Sequence, residues 1–279
     1  MTRMLKEALR GVLLEREVNE VYSAFDIVGD IVVIKIPEKM SDKKQLIADT
    51  ILANVKPVRS VLMQSSPVQG DFRVRNIEYI AGENKTLTIH KEHNCRFKVD
   101  VGKVYFSPRL STERARIADL VNEDEVIVNM FAGVGTFSIV IAKKHRCKVY
   151  SIDVNPDAHS LCVENIRMNK VDDRVIPMLG DASEIIEKEL RDKADRVLMP
   201  LPERAKEYLK YAVMTAKNKG VIHYFTHLHA DSKKEAPKVC VDELANYMNV
   251  KYELLASRVV REVGPRFYQV VADVQVFKN

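Results

Sequence analysis

The chain has 279 residues, 46% of them hydrophobic and 30% charged, a balance typical of a folded protein of one or two domains. It contains no apolar run of about 18 residues, no signal-peptide pattern and no CxxC pair among four scattered cysteines. We therefore expect a cytoplasmic protein without a membrane span, a disulfide framework or a zinc ribbon. The net charge of +5 is too small to establish nucleic-acid binding, although residues 1–110 carry 18 basic against 14 acidic side chains.

The first part of the chain predicts a small α+β domain. Residues 1–20 have the pattern of a short charged helix, an N-terminal arm. Residues 21–108 then combine one helical segment, SDKKQLIADTILANV, with several strand-like runs separated by turn residues. These runs are IVVIKIP, RSVLMQSS, RNIEYIAGE, TLTIHKEHNCRFKVD and KVYFS.

The pattern changes after Pro108, and residues 109–279 predict a second, larger domain. Continuous Val/Ile/Leu strands alternate with amphipathic helices, which indicates a doubly wound parallel sheet with helices on both faces. One of these helices, ERAKEYLKYAVMTAKNKG, is predicted to end at Gly220. The last two strands, YELLASRVVREVG and FYQVVADVQVFK, are joined by a short Gly-Pro turn and should be antiparallel, because a parallel crossover needs a longer connection.

The first strand–helix turn of this larger domain has features of a nucleotide-binding loop. Gly133 and Gly135 would let the backbone approach a ligand closely, although glycines often serve only to tighten such a turn. Asp153 ends the next strand, where a carboxylate can accept both ribose hydroxyls. Asp181 follows the third strand and could accept the adenine amino group or equally cap the next helix. The turn comprises Met130, Phe131, Ala132, Gly133, Val134 and Gly135.

Several features favour S-adenosylmethionine over a nicotinamide cofactor. Ser138 stands where a dinucleotide-binding loop has its third glycine, so a diphosphate grip is not needed. The fourth strand ends in a proline-shaped edge, and the antiparallel strand pair at the C-terminus is typical of a class I methyltransferase sheet. We therefore predict S-adenosylmethionine as cofactor. Positions beside the turn complete the candidate cofactor set: Val154, Ala182, Pro200 and Pro202.

The segment KVYFSPRLSTERAR, between the two predicted domains, holds further candidates. Glu113 lies in the first turn of a helix, where the helix dipole alone could explain an acidic residue. Arg109 would lie within ion-pair distance of Glu113 only if that helix already includes residue 109. We also include Tyr105 and Arg114 among the candidate cofactor-binding residues.

The motifs in their order resemble the archaeal and eukaryotic tRNA (guanine-N1)-methyltransferases that modify the guanosine 3′ of the anticodon. The resemblance rests on FDIVGDIVVIKIP, FRVRNIEYIAGE, HKEHNCRFKVDVGKVYFSPRLSTERARI, NMFAGVGTFSI, IDVNPDA, DRVLMPLP and VIHYFTH. It implies S-adenosylmethionine as cofactor, tRNA as substrate, Glu113 as the general base and Arg73 as the arginine near the guanine O6. It also implies substrate contacts at Arg75, Arg109 and Leu201.

The sequence departs from this family pattern in two places. Pro200 stands where the family often has an asparagine near the target base, and only about 20 residues precede the small domain, so we expect the family's extra N-terminal domain to be absent. Related enzymes transfer the aminocarboxypropyl group of the same cofactor in wybutosine synthesis, but the SPRLSTER segment favours methyl transfer.

Three other interpretations remain weaker. A nicotinamide oxidoreductase is opposed by the glycine pattern, and an RNA-binding module without catalysis is opposed by the intact cofactor motif. His223, His227 and His229 share one strand, but no cysteine or acidic partner has the spacing of a metal site, so we expect no metal. We favour a monomer.

Overall fold

The computed structural model describes residues 7–10, 12–20, 25–65 and 76–278. The chain divides into two compact units, residues 1–111 and 112–279. Among the described residues, no helix is both long enough and apolar enough to span a membrane. The finer assignment of residues 1–20, 21–108 and 109–279 to an arm, a supporting domain and a cofactor domain stays a prediction.

The first unit combines a four-stranded sheet, a two-stranded hairpin and helices. The sheet order is β1-β2-β3-β4, with β2 and β3 parallel and the outer pairs antiparallel. The elements are α1 (Glu15–Glu20), β1 (Phe25–Val28), β2 (Ile31–Ile34), a 3-10 helix (Glu38–Lys43), α2 (Lys44–Asn54), β3 (Ser60–Gln64), β4 (Ile77–Gly82), β5 (Leu87–Glu92) and β6 (Cys95–Asp100).

One apolar core holds the helices of this unit against its sheet. Ile47 and Ile51, four residues apart on α2, are fully buried in it, as the helical spacing requires. Leu9 and Val18 near the N-terminus are also fully buried in this cluster. Both ends of the described N-terminal segment are therefore packed into the same core as the sheet.

Two sequence-based strand assignments in this unit are wrong in detail. The run TLTIHKEHNCRFKVD is a hairpin of β5 and β6, because His93 and Asn94 both adopt positive φ angles, 46° and 58°, which suit a tight two-residue turn. The segment KVYFS forms no strand, and the chain passes from it into a 3-10 turn at Pro108–Leu110.

The second unit is built on a seven-stranded sheet of order β12-β13-β11-β10-β7-β8-β9. Its elements are α3 (Ser111–Leu120), β7 (Val126–Asn129), α4 (Thr136–Lys144), β8 (Lys148–Asp153), α5 (Pro156–Asn169), β9 (Val175–Leu179), α6 (Ala182–Glu189), β10 (Ala194–Met199), a 3-10 helix (Pro202–Arg204), α7 (Ala205–Thr215), β11 (Ala216–His229), α8 (Ala236–Ala245), β12 (Lys251–Gly264) and β13 (Phe267–Phe277).

The strand directions confirm the predicted fold class. Strands β9, β8, β7, β10 and β11 run parallel to one another, whereas β13 is antiparallel to both β11 and β12. The carboxyl ends of β10, β7, β8 and β9 therefore lie side by side along one edge of the sheet. Apolar side chains of α6, α7 and α8 pack with the strands in one core.

The predicted end of helix α7 at Gly220 is wrong. The helix ends at Thr215, and residues 216–220 already belong to β11, whose pairing with β10 shifts between Ala194 and Arg196. A Cβ on Gly220 would lie 3.0 Å from the carbonyl oxygen of Ala194. The glycine thus permits a close backbone approach within the sheet instead of capping a helix.

Candidate active site

The turn between β7 and α4 depends on glycine at two positions. Gly133 and Gly135 have φ angles of 56° and 87°, in the left-handed region that other residues seldom adopt. A Cβ on Gly135 would lie 2.7 Å from the Sγ of Cys162, so space as well as backbone conformation requires glycine there. The result is a tight turn at the carboxyl edge of the sheet, with α4 beginning directly after it.

Backbone hydrogen bonds tie this turn to the strands on either side. Met130 N–H donates to the carbonyl of Leu198 in β10 at 3.0 Å, and Ala132 N–H donates to that of Ile152 in β8 at 2.8 Å. Met130, Ala132 and Val134 are buried. The turn is therefore a rigid part of the sheet edge.

Asp153, at the end of β8, is joined directly to the glycine turn. One carboxylate oxygen accepts the N–H of Gly133 at 2.6 Å and the other accepts the N–H of Asn155 at 2.9 Å. Burial raises the pKa of Asp153 above its ordinary value, although these backbone N–H groups oppose the rise. The structure thus brings together the two sequence-predicted features, the glycine turn and the acidic strand end.

Asp181 caps helix α6, one of the two roles that the sequence leaves open. Its Oδ1 accepts the N–H of Ser183 at 2.7 Å, and its Oδ2 accepts the hydroxyl of Tyr208 at 2.5 Å. Burial acts to raise the pKa of Asp181, but these hydrogen bonds outweigh it and lower the pKa below its ordinary value. Tyr208, which the sequence analysis missed, also packs edge-on against Phe131 at 5.1 Å between ring centroids.

An exposed apolar surface lies beside these carboxylates. Val154 directly follows Asp153 and is 43% exposed, and Leu179, paired in register with Asp153, is 52% exposed. Ala182, next to Asp181 in sequence, is buried. After β10, Pro200 and Leu201 are half-buried and Pro202 is buried at the start of a 3-10 helix.

Glu113 is the most deeply buried acidic candidate, with 2% of its surface exposed. Its Oε1 accepts two hydrogen bonds from Arg116, from Nε at 2.9 Å and Nη2 at 2.6 Å. Its Oε2 accepts one from Nη1 of Arg258 in β12 at 3.0 Å. Two guanidinium groups therefore compensate the buried carboxylate, as a buried charge requires.

The conditional ion pair between Arg109 and Glu113 does not form. Residues 108–110 form a 3-10 turn and α3 begins only at Ser111, so Arg109 is outside the helical spacing. Instead, its Nε donates to Asp26 within the first unit at 2.7 Å.

The remaining candidates fall in different places. Arg114 is buried, with its guanidinium 6.0 Å from the ring centroid of Phe137. Tyr105 is half-buried in the first unit. Arg73 and Arg75 lie outside the described residues.

A row of buried residues, all polar except Leu198 and hereafter the buried polar row, crosses the sheet just behind its carboxyl edge. The strand registers pair Ser151 with Asn129, Asn129 with Leu198, Leu198 with His223 and His223 with Asp273. Side chains in register on adjacent strands share a face of the sheet. All five residues are at most 3% exposed. This row is a feature that the sequence analysis missed.

The histidines of β11 take separate roles. His223 contacts Asp273 at 2.6 Å and Arg196 at 2.8 Å, so it belongs to the buried polar row. His227 and His229 pack on the ring of Phe267. In the described part of the chain, no group of three potential metal ligands occurs.

Fold and site together define a class I methyltransferase domain: a doubly wound sheet with a C-terminal antiparallel pair, and a glycine turn linked to an acidic strand end. Residues 88–255 match the TRM5/TYW2 methyltransferase domain, and residues 5–86 match the TYW2 N-terminal domain. The chain belongs to the TRM5/TYW2 methyltransferase family. The resemblance drawn from the sequence is thus confirmed for family, fold and enzyme class.

Individual relatives agree with this assignment. The chain is 43% identical to tRNA (guanine(37)-N(1))-methyltransferase Trm5b of Pyrococcus abyssi, over 91% of this chain and 75% of the relative. Its structure is similar to that of aTrm5 in complex with tRNALeu, with a TM-score of 0.84, 36% identity and coverage of 99% and 79% of the two chains. It is also similar to Methanocaldococcus jannaschii TYW2 in complex with AdoMet, with a TM-score of 0.67, 30% identity and coverage of 92% and 100%.

The position of Asp153 generates a first prediction. Replacing Asp153 with Ala removes two charge-assisted acceptors, so S-adenosylmethionine binding should weaken by about 1.5–3 kcal/mol for each hydrogen bond removed. Isothermal titration calorimetry measures this change directly. Asp172→Ala, at an exposed position before β9, is the matched control and should bind as the wild type does. Unchanged affinity in Asp153→Ala would contradict the assignment.

The environment of His223 generates a prediction about pH. Burial lowers the pKa of His223 below its ordinary value of 6.5, although Asp273 opposes the shift. Below about pH 6.5 the unfolded chain therefore takes up a proton that the folded protein excludes, and stability falls by up to about 1.4 kcal/mol per pH unit. Urea unfolding between pH 7.5 and 5 should show this loss, and His223→Asn should show a flatter dependence. If the free energy of unfolding depends on pH equally in the wild type and His223→Asn, His223 is not the group responsible.

Proposed function

We propose that this protein transfers the methyl group of S-adenosylmethionine to N1 of the guanosine 3′-adjacent to the anticodon of tRNA. The observation that carries the proposal is the buried carboxylate of Glu113, which is held by two guanidinium groups at the position matching the family's general base. The identity with Trm5b and the similarity to a tRNA-bound aTrm5 support the same reaction.

The residues at the sheet edge fit the cofactor. Asp153 would accept the ribose hydroxyls and Asp181 the adenine amino group, while Val154 and Leu179 offer exposed apolar surface to the base. The glycine turn leaves backbone rather than side chain facing the ligand. When bound, S-adenosylmethionine supplies an electrophilic methyl group on a positively charged sulfur. The AdoMet complex of a TYW2 relative supports this choice of cofactor.

The chemistry explains why a carboxylate is needed. N1 of guanine carries a proton and is a poor nucleophile, so a base must remove that proton as the new bond forms. Glu113 performs this role. Negative charge then develops on O6, and the family resemblance implies that Arg73 stabilises this charge. The target nucleotide must leave its stack, which is less costly in a loop beside the anticodon than in a duplex.

The hairpin of the first unit offers a surface for the tRNA backbone. Lys91 and Arg96 are paired directly across β5 and β6, and both are exposed. A phosphate lying against this pair would interact with both cationic side chains. Lys98 adds a third cation to the same face, in register with Ile89.

Aminocarboxypropyl transfer from the same cofactor is the alternative reaction, since the family includes TYW2. The two reactions leave different products: methyl transfer leaves S-adenosylhomocysteine, and aminocarboxypropyl transfer leaves methylthioadenosine. The SPRLSTER segment, residues 107–114, favours methyl transfer through its resemblance to the methyltransferases of the family. Action in the cytoplasm as a monomer stays part of the proposal.

Mass spectrometry of digested tRNA after incubation with S-adenosylmethionine tests the reaction. We expect 1-methylguanosine at the nucleotide 3′ of the anticodon, with S-adenosylhomocysteine released in equal amount. Methylthioadenosine in its place would establish the alternative. If neither S-adenosylhomocysteine nor methylthioadenosine forms with any tRNA supplied, both transfer reactions are excluded.

The assigned role of Glu113 leads to a kinetic prediction. Glu113→Gln should lower the single-turnover methylation rate by about 10²–10⁴-fold while S-adenosylmethionine affinity changes little, because the base is lost but the cofactor-binding residues remain. Raising the pH should partly restore the rate, since hydroxide can then deprotonate the guanine. Glu187→Gln, at an exposed position on α6, is the control. If the variant methylates at the wild-type rate, Glu113 has no part in the mechanism.

The basic hairpin leads to a prediction about salt. tRNA affinity should fall linearly on a log–log plot against salt concentration, because bound cations are released from the phosphates. Replacing Lys91 and Arg96 by Ala should reduce the slope by about one for each phosphate that is no longer neutralised. Filter binding over a salt series measures both effects, with Lys188→Ala and Arg191→Ala on the second unit as the control pair. A slope that these hairpin substitutions leave unchanged would exclude this surface.

A further inference from the structure

We infer that Asp273 is a positioning residue for Glu113, acting through Arg116. This inference rests on the proposed function, since it concerns how Glu113 is kept able to accept a proton. Asp273 lies in β13, at the end of the buried polar row, and its side chain is 5% exposed. Arg116 stands between the two carboxylates and donates hydrogen bonds to both.

The hydrogen-bond directions on the far side of Asp273 follow from donor chemistry. Arg196 has only donors, so its Nη1, 2.8 Å from Nε2 of His223, makes that ring nitrogen an acceptor. A neutral His223 then carries its proton on Nδ1 and donates it to Oδ1 of Asp273 at 2.6 Å. Arg196 is itself held by both carboxylate oxygens of Glu125. The Nδ1–H of His223 therefore fixes Asp273 on the side opposite Arg116.

Arg116 is shared by two carboxylates. Its Nη1 donates to Oδ2 of Asp273 at 2.5 Å, and its Nε and Nη2 donate to Oε1 of Glu113 at 2.9 and 2.6 Å. A guanidinium is planar, so fixing one edge on Asp273 fixes the direction in which the other edge points. Asp273 and Glu113 therefore accept hydrogen bonds from the same guanidinium.

The two oxygens of Glu113 are held unequally. Oε1 faces Arg116, whose side chain is 20% exposed and anchored on Asp273. Among the residues that the structure describes, Oε2 has a single hydrogen bond, from Arg258, whose side chain is 40% exposed and lies on the edge strand β12. The hydrogen bond to Oε2 is therefore the one that can be exchanged at lower cost. The guanine N1–H takes the place of Arg258 on Oε2, while Arg116 keeps Oε1 in position.

The charges of this hydrogen-bonded chain, from Glu125 to Arg258, balance. Three guanidinium groups face three carboxylates, with a neutral histidine between Arg196 and Asp273. A buried ionic chain contributes little net stability compared with apolar packing of the same volume. Its position between the sheet core and the proposed base fits a role in positioning Glu113.

A double-mutant cycle separates positioning from simple support of the fold. Single-turnover rates are measured at saturating S-adenosylmethionine and tRNA for Asp273→Asn, Glu113→Gln and the double variant. Asp273→Asn should lower the rate by about tenfold or more, a fraction of the full loss of a general base, with cofactor affinity nearly unchanged. In the Glu113→Gln background it should change the rate by less than about twofold, because it acts only through Glu113.

Two further variants keep the test sharp. Asp195→Asn, near the start of β10, removes a carboxylate that holds Lys217 and the N–H of Val126 at the start of β7, and it should leave the rate unchanged. Arg116→Lys keeps the charge but loses the planar fork, so it should slow methylation with cofactor affinity intact even where Asp273→Asn does not fold.

The outcomes distinguish this inference from the proposed function. If Glu113→Gln is slow but folded Asp273→Asn methylates at the wild-type rate, or if Arg116→Lys does so, the positioning role is overturned and the proposed function stands. If the effects of Asp273→Asn and Glu113→Gln multiply, Asp273 acts independently of Glu113 and the inference also fails. If Glu113→Gln itself is fully active, the base assignment in the proposed function is wrong.

Discussion

The parallel direction of four neighbouring strands is the constraint on which the proposed cofactor site depends. Because β10, β7, β8 and β9 run the same way, the segments that follow them all emerge at one edge of the sheet. Residues far apart in the chain, such as Gly133, Asp153 and Asp181, are thereby placed at the ends of adjacent strands. The hydrogen bond from Gly133 to Asp153 is a direct consequence of this placement.

The second organising feature is the management of buried charge. Strands β11 and β13 carry His223 and Asp273 at positions that apolar residues would normally occupy, and an isolated charge there would be costly. Each carboxylate is therefore matched by a guanidinium from another element, and the lowered pKa of the buried histidine favours its neutral form. The same interactions link the sheet core to Glu113, so packing of the sheet and arrangement of the proposed base are coupled.

The sequence predicted those features that depend on local pattern. Apolar periodicity and turn residues identified the α/β alternation and the antiparallel C-terminal pair, since both follow from neighbouring residues and loop length. It failed where tertiary context overrode the local pattern. Gly220 has the sequence context of a helix cap, but it permits a close approach to the Ala194 carbonyl. An ion pair between Arg109 and Glu113 would require the helix to include residue 109, and the helix begins two residues later, at Ser111.

The sequence by itself determined the family, the doubly wound sheet, the glycine turn and the acidic strand end, because each is written in contiguous residues whose chemistry is local. Only the tertiary structure decided which partners Glu113 has. Arg258 lies 145 residues away from it, and Asp273 lies 157 residues from Arg116. No periodicity or turn signal links such positions. They meet because strand register places β11, β13 and β12 side by side, and register is set by packing of the whole sheet.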